Sequence, residues 1–577
     1  MAVAVSALSQ YLIAARAIRC GLAMTPPIPA AVRRSLRETF GLRELREGQQ
    51  EVITRVLKGL DTLAIMPTGA GKSLCYQLPA LHLEGITVVV SPLISLMKDQ
   101  AEKLEEAGVA AEQLNSALPR REQGASLERI ADAQSDIVFA TPERLETPEF
   151  LATLQAQKIA LLVIDEAHCV SQWGHDFRPA YLEIRTALEA LGNPPVLALT
   201  ATATPDVVRD IQQQLNRPRL HVVNTGIFRP NLRLQVVQVT NEDEKFQRLL
   251  EAVRKGQGTG IVYTATVKAC TELYERLVAA GESVTLYHGR LSAADRHANQ
   301  DHFMTGEARV MVATNAFGMG IDKPDIRFVL HWQLPGSPEA YYQEAGRAGR
   351  DGEPADCALV FYRKDRQVQQ FFLARRYPTA TDLVQVVRQL ELAEGPQTIT
   401  QLDEGLPGLP RNRIAVALNL LRDGGLVACD RQKAWRLLPD QQSDDLALSR
   451  LATEYERKAE RDHEALERMV FYAQTGFCRW RVLLEYFEEP LPFEHRCGRC
   501  DNCLRPLVQP DETITVAAQA TTQPAEDKAE LAFKPGDTVT VPRYGEGKVV
   551  QAAEEEVTVQ FPNRRKRSFL PGFVQRL

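Results

Sequence analysis

Short unbroken apolar runs recur along the first two thirds of the chain: Thr87-Val88-Val89-Val90, Ala160-Leu161-Leu162-Val163-Ile164, Pro195-Val196-Leu197-Ala198-Leu199, Gly260-Ile261-Val262-Tyr263 and Arg309-Val310-Met311-Val312. Segments of helical periodicity separate them. A strand with one wet face alternates apolar and polar residues, whereas a strand covered on both faces does not. Runs without alternation, spaced by helices, therefore predict buried parallel strands and an α/β architecture. The stretch from about 30 to 365 is long enough for two such sheets.

The pattern changes after residue 380. Helical segments at 381–393, 398–402 and 410–422, then Gly424-Gly425 and a hairpin over 426–438, predict three helices with a two-stranded wing. That is a winged helix-turn-helix, a module that usually meets DNA; a plain helical spacer is the alternative. Residues 443–487 are mostly helical with a break at Thr475-Gly476. After Cys503 an Ala/Thr/Gln/Pro stretch ending near Leu531 has too few large apolar residues to fold, and reads as a linker. Strict alternation then returns around glycine turns, as in Glu556-Val557-Thr558-Val559-Gln560-Phe561, and predicts a small β-barrel.

Composition adjusts this picture only at its margins. Ten cysteines in 577 residues are too few for a disulfide scaffold, and no apolar run reaches bilayer length, so the chain reads as soluble and intracellular with no membrane partner. A formal net charge of -6 excludes a purely electrostatic nucleic-acid binder but leaves room for a local basic groove. Residues 1–23 hold no acid and two arginines, which faintly matches a transit peptide; Met24 before Thr-Pro-Pro-Ile-Pro reads equally as a start in an over-extended frame.

The chemistry begins at Met66-Pro67-Thr68-Gly69-Ala70-Gly71-Lys72-Ser73, between an apolar run and a helical pattern. Glycines let backbone N–H groups curl around phosphates, Lys72 supplies charge to the β- and γ-phosphates, and Ser73 offers a hydroxyl to magnesium. Position 66 is Met where the general P-loop formula has glycine, a form that superfamily 2 helicases show. Downstream, Asp165-Glu166-Ala167-His168 ends a buried run: Asp165 is placed to bind magnesium and Glu166 to deprotonate the attacking water. A third element, Gln343-Glu344-Ala345-Gly346-Arg347-Ala348-Gly349-Arg350-Asp351-Gly352, is expected to put two arginines on one helical face, Arg350 as arginine finger and Arg347 as its partner.

These elements resemble the RecQ family of superfamily 2 DNA helicases over about 36–365 and 450–506. The specific markers are Ser171-Gln172-Trp173-Gly174-His175-Asp176-Phe177-Arg178-Pro179, Phe228-Arg229-Pro230-Asn231-Leu232, and the segment from Ala316 through Asp322 to Pro324. The first looks like the family's aromatic-rich loop: Trp173 and Phe177 offer faces to unstacked bases, and His175 and Arg178 can report to the γ-phosphate. Arg46-Glu47-Gly48-Gln49 with Phe40-Gly41 resembles the adenine-recognition element, with Leu42 where the family often carries an aromatic residue. Cys478, Cys497, Cys500 and Cys503 form the closed four-thiolate set of a structural zinc site, in the layout the family shows after a helical hairpin. By this resemblance the chain is expected to be a variant without the usual winged helix after that site.

The resemblance implies two RecA-like parallel-sheet lobes, followed by a winged helix, a helical zinc-binding module and a small C-terminal β-barrel. The expected boundaries are an extension over 1–29, an ATP-binding lobe over 30–225, a second lobe over 226–370, the winged helix-turn-helix over 377–440, the zinc-binding domain over 441–506, a linker over 507–532 and the barrel over 533–577. ATP would be held by Arg46, Gln49, Thr68, Gly69, Gly71, Lys72 and Ser73, with magnesium on Ser73 and Asp165. DNA contacts are expected at Ser91, Thr141, Thr314, the aromatic loop, and Trp435 in the wing beside Arg431, Lys433 and Arg436. The implied activity is ATP-dependent unwinding of duplex DNA in repair or recombination, with 3′-to-5′ movement on single-stranded DNA, in a cytoplasmic, nucleoid-associated bacterial protein. An RNA helicase and an ATP-gated adaptor are the alternatives. The barrel, with Arg564-Arg565-Lys566-Arg567, is expected to add DNA affinity or bind a protein partner.

Overall fold

A computed structural model describes residues 28–115, 118–145, 147–171, 179–181, 183–318, 323–376, 378–430, 433–438, 445–504, 533–541, 545–552, 557–561, 566–569 and 574–576. The predicted extension over 1–27, the linker to 532, the loop carrying Trp173, His175, Phe177 and Arg178, and wing residue Arg431 lie outside the described residues.

The first sheet holds β1 (Thr62–Ile65), β2 (Ile86–Val90), β3 (Ala111–Leu114), β4 (Ile137–Ala140), β5 (Ile159–Ile164), β6 (Val196–Thr200) and β7 (His221–Asn224). Their order is β3-β4-β2-β5-β6-β1-β7, and every pairing is parallel. Leu63 and Ile65 of β1 enter one core while Ala64 and Met66 enter the core on the other face. Burial of alternate residues on opposite faces explains why the run does not alternate in polarity.

The second sheet repeats the plan with β8 (Leu232–Val239), β9 (Thr259–Tyr263), β10 (Val284–Tyr287), β11 (Val310–Ala313), β12 (Ile326–His331) and β13 (Ala355–Tyr362), in the order β10-β11-β9-β12-β13-β8, again all parallel. On one face Val239, Leu249, Val262, Val312 and Leu330 pack together. On the other, Leu232, Leu234 and Tyr342 share a core with Leu466, Tyr472, Trp480, Leu484 and Phe487 of the helices Asp445–Gln474 and Arg479–Tyr486. The cysteine-bearing module thus completes the second lobe's core.

Between the second sheet and this module stand helices Ala380–Glu391, Ile399–Gly405 and Arg411–Asp423 with an antiparallel sheet of β14 (Gln397–Thr398), β15 (Val427–Cys429) and β16 (Ala434–Leu437). Three helices and a wing form around Leu383, Leu418, Leu421 and Trp435. The C-terminal unit, residues 507–577, contains β17 (Thr538–Val541), β18 (Gly545–Ala552), β19 (Val557–Gln560), β20 (Lys566–Phe569) and β21 (Gln575–Arg576) in the antiparallel order β20-β19-β18-β17-β21. Val539, Val549, Val559 and Phe561 fill its core, as the strict alternation predicts.

Candidate nucleotide site and zinc module

In a parallel sheet all carboxyl ends share one edge, and ligands bind there. Here β1 delivers the P-loop to that edge, β2 delivers Ser91, β5 delivers Asp165-Glu166 and β6 delivers Thr200. Gly69 and Gly71 take φ of 85° and 77°, a region that side chains resist, so these two positions need glycine. Met66 does not, because its side chain is fully buried in the core. Its carbonyl accepts from Lys72 Nζ at 3.2 Å.

Asp165 and Glu166 are held from several directions. Ser91 Oγ donates to Asp165 Oδ2 at 3.1 Å, and the Tyr181 hydroxyl donates to the Asp165 carbonyl at 3.1 Å. Burial, and then repulsion from Glu166, push the Asp165 carboxyl up to about 7. Burial lowers the Lys72 ammonium against the pull of Glu166 and Asp165. Glu166 adopts φ of 48°. His168 Nδ1 lies 3.1 Å from Thr200 Oγ1 and 3.4 Å from Glu166 Oε2, joining the acidic pair to the end of β6.

Several expectations change. Gln49 has its amide committed to protein: Nε2 donates to the Ala70 and Gly71 carbonyls at 3.0 Å each, and Oε1 accepts from Arg46 N at 2.7 Å. Arg46 Nη1 donates to the Gly69 carbonyl. In this structure the pair staples the P-loop and does not stand open to a base. Ser91 is 2% exposed with its hydroxyl on Asp165, so it orients the acid and offers no surface to DNA. Thr141 and Thr314 are likewise buried at strand ends. Trp435 is 6% exposed, packed among Leu383, Leu418 and Leu421 beneath the Arg422 guanidinium, because an indole at that register of β16 faces the helices. It builds the winged-helix core and cannot stack on a base pair.

The two arginines do not share a helical face. Helix Pro338–Ala345 is capped by Gly346, and Arg347 and Arg350 lie in the turn beyond it. Arg350 reaches the first lobe: a Cβ added to Gly69 would stand 3.2 Å from Arg350 Cγ. Arg347, 4% exposed, turns inward beside Tyr263 and the Gly318 backbone. The turn therefore brings Arg350 to the P-loop and keeps Arg347 within its own lobe. Three contributors escaped the sequence reading. Gln100, which donates to Ser73 Oγ at 3.1 Å, sits on an unmarked helix; Thr200 has only a Thr-Ala-Thr at a strand end to betray it; Arg229 lies in the segment 228–232, whose residue types name no role for it.

The Sγ atoms of Cys478, Cys497, Cys500 and Cys503 all lie within 4.8 Å of one another. Backbone N–H groups of Cys497, Arg479, Arg499 and Cys500 point at these sulfurs at 3.4 Å each. Four sulfurs facing one centre and bathed in N–H donors fit thiolates around a zinc ion, with no position left for a reacting water. Next to the ligands, Arg479 pairs with Asp501 at 2.9 Å and 3.1 Å, and Asp501 accepts from Val236 N of β8.

Comparison with known families matches residues 46–211 to the DEAD/DEAH box helicases, 244–352 to the helicase conserved C-terminal domain and 430–504 to the RecQ zinc-binding family. The chain is 39% identical over 470 residues to "ATP-dependent DNA helicase RecQ" of Bacillus subtilis, covering 81% of this chain and 66% of that protein. It is 37% identical to "Probable ATP-dependent DNA helicase RecS" of the same organism, covering 82% of this chain and 92% of that protein. Against the RecQ of Haemophilus influenzae it is 42% identical over 330 residues, covering 57% of this chain and 53% of that protein, so the match spans only about half of that relative. No helix among the described residues is long and apolar enough to cross a membrane.

Proposed function

The chain belongs to the RecQ family of helicases, and from that premise we propose that it is an ATP- and magnesium-dependent DNA helicase that moves 3′ to 5′ along one strand and parts the duplex, in repair or recombination. The observation that carries the reading is the composite site. Arg350 of the second lobe stands over Gly69 of the first, beside Lys72, Asp165 and Glu166. Residues from two sheets can sense one γ-phosphate, so closing and reopening the lobes can be tied to its presence.

Within that site the glycine turn receives the phosphates on backbone N–H groups and Lys72 adds the charge. Ser73 and Asp165 would hold a magnesium ion, which would supply further neutralisation of the phosphate charge. Gln100 fixes the Ser73 hydroxyl and Ser91 fixes the Asp165 carboxylate, so both ligands are oriented beforehand. Glu166 takes the proton of the attacking water, and Arg350 offsets the charge that develops on the γ-phosphoryl group. The four cysteines hold structural zinc away from this chemistry.

DNA would be bound by Trp173 and Phe177 and by the exposed wing residues Lys433 and Arg436. The basic segment at 564–567 would add salt-sensitive affinity or dock a protein partner, and the molecule would work at the bacterial nucleoid. Strand displacement on matched DNA and RNA duplexes with 3′ and 5′ tails tests the proposal. ATP-driven release from 3′-tailed DNA alone is expected; release of RNA only, or none with ATP hydrolysis intact, overturns it.

A further inference from the structure

Four backbone carbonyls converge on one guanidinium. Arg229, 8% exposed, donates from Nη1 to Gly346 O at 2.6 Å and to Thr68 O at 3.4 Å, and from Nη2 to Ala348 O at 2.8 Å and to Gly349 O. Three acceptors belong to the turn that carries Arg347 and Arg350, and the fourth to the P-loop. The turn follows the C-terminus of helix Pro338–Ala345, where backbone carbonyls lack helical partners and carry partial negative charge. A planar fork of donors can satisfy several of them at once; a lysine ammonium on the same stem cannot span the fan.

The neighbours of Arg229 fix it in place. Asn231 Nδ2 donates to Gly349 O at 2.8 Å and Glu353 O at 2.9 Å, closing the far side of the turn. The Phe228 ring meets Trp480 edge-on at 5.1 Å and Phe493 at 5.6 Å, while Arg499 donates to the Pro230 carbonyl and Trp480 Nε1 to Leu232 O at 3.3 Å. One side of the segment 228–232 is thus anchored in the zinc module and the other in the arginine turn.

We propose that Arg229 is a positioning residue for ATP hydrolysis: it shapes the turn at 346–350 so that Arg350 faces Gly69, and it ties that turn to the P-loop through Thr68. The assignment rests on the reading of Arg350 as the arginine finger. The Thr68 bond, at 3.4 Å, is the longest of the four; it would be the first to yield if the P-loop adjusted around phosphates, while the bonds within the turn would keep Arg350 on course.

The test is a double-mutant cycle between Arg229→Lys and Arg350→Ala in the full chain, with hydrogen exchange of the turn measured without nucleotide. Arg229→Lys should lower kcat for DNA-stimulated ATP turnover by about tenfold or more with KM for ATP within about threefold, since aim is lost and ground-state binding is kept. Added to Arg350→Ala it should cost less than about twofold, because the turn then has nothing to position. Amides of 346–352 should exchange about tenfold faster in Arg229→Lys while those of β9 and β12 do not change. Asn231→Ala should give a smaller effect of the same kind and carries the test if the lysine variant does not fold. Multiplying losses in the double variant, or unchanged exchange in the turn of a folded variant, overturns the proposal. If the chain hydrolysed no ATP, the helicase reading would fall while the exchange measurement still judged Arg229.

Discussion

The nucleotide edge and the zinc module both gather chemistry-bearing side chains into a small volume, and they do so in opposite ways. At the edge, Lys72, Asp165 and Glu166 crowd together under burial, and the Asp165 carboxyl is pushed up to about 7. In the zinc module four sulfurs face each other, backbone N–H groups point at them, and the adjacent Arg479–Asp501 pair is closed at 2.9 Å. A site left under electrostatic tension can exchange its partners during a cycle; a site whose donors and acceptors are all matched can only hold shape. The first is built to work and the second to support it.

The largest effect that sharpens this contrast lies at the edge. Lys72→Ala and Glu166→Gln should each lower ATP turnover by about a thousandfold or more. Glu166→Gln should retain ATP binding and leave the thermal midpoint unchanged or higher, since it removes the repulsion felt by Asp165. A large loss of stability in that variant would break the comparison. Cys500→Ser should behave in the reverse sense: zinc falls from about one per chain, soluble yield drops, and turnover per folded molecule stays within about threefold. Metal analysis paired with calorimetry reads both.

A buried pair in the second lobe sits between the extremes. Lys245 Nζ meets Asp365 Oδ1 at 2.7 Å, 1% and 5% exposed, with the Trp332 ring 4.5 Å from the ammonium. Lys245→Met alone should cost about 3 kcal/mol or more by leaving a buried acid unpaired, whereas Lys245→Met with Asp365→Leu should come within about 1 kcal/mol of the parent. Burial pushes the Asp365 carboxyl up to about 6, with Lys245 pulling the other way. A raised carboxyl keeps its proton in the folded chain after the unfolded chain has lost it, so its contribution is full below about pH 4 and is lost as pH rises through about 6. Asp365→Asn should flatten that slope in pH-dependent denaturant titrations.

The smallest effect concerns the C-terminal unit. Deleting 507–577 should weaken DNA binding severalfold at moderate salt, with strand separation preserved and zinc content unchanged. Equal loss at low and high salt would show that its basic segment does not act through phosphates.

The α/β class, the phosphate turn and the four cysteines were legible because each is local: a strand's polarity, a glycine spacing and a thiol spacing are properties of a few consecutive residues. Arg350 was singled out the same way, and it does lie against Gly69, but not on the helix expected for it, because the helix stops at Gly346 and Arg229, more than a hundred residues earlier in the chain, takes the turn's carbonyls. Trp435 was misread for a related reason. A tryptophan among basic residues has the composition of a nucleic-acid contact, and only the register of β16 against the three helices sends it inward.

The sequence alone therefore determined the family, the acidic pair that ends β5 and the cysteines that come together, since each belongs to a motif that the chain carries intact. Tertiary structure decided what those motifs touch: that Gln49 staples the P-loop, that Ser91 holds Asp165, and that the zinc module closes the second lobe's core. Such contacts join residues far apart in sequence. Their geometry is set by how sheets and helices exclude water together, and no short stretch of chain encodes that by itself.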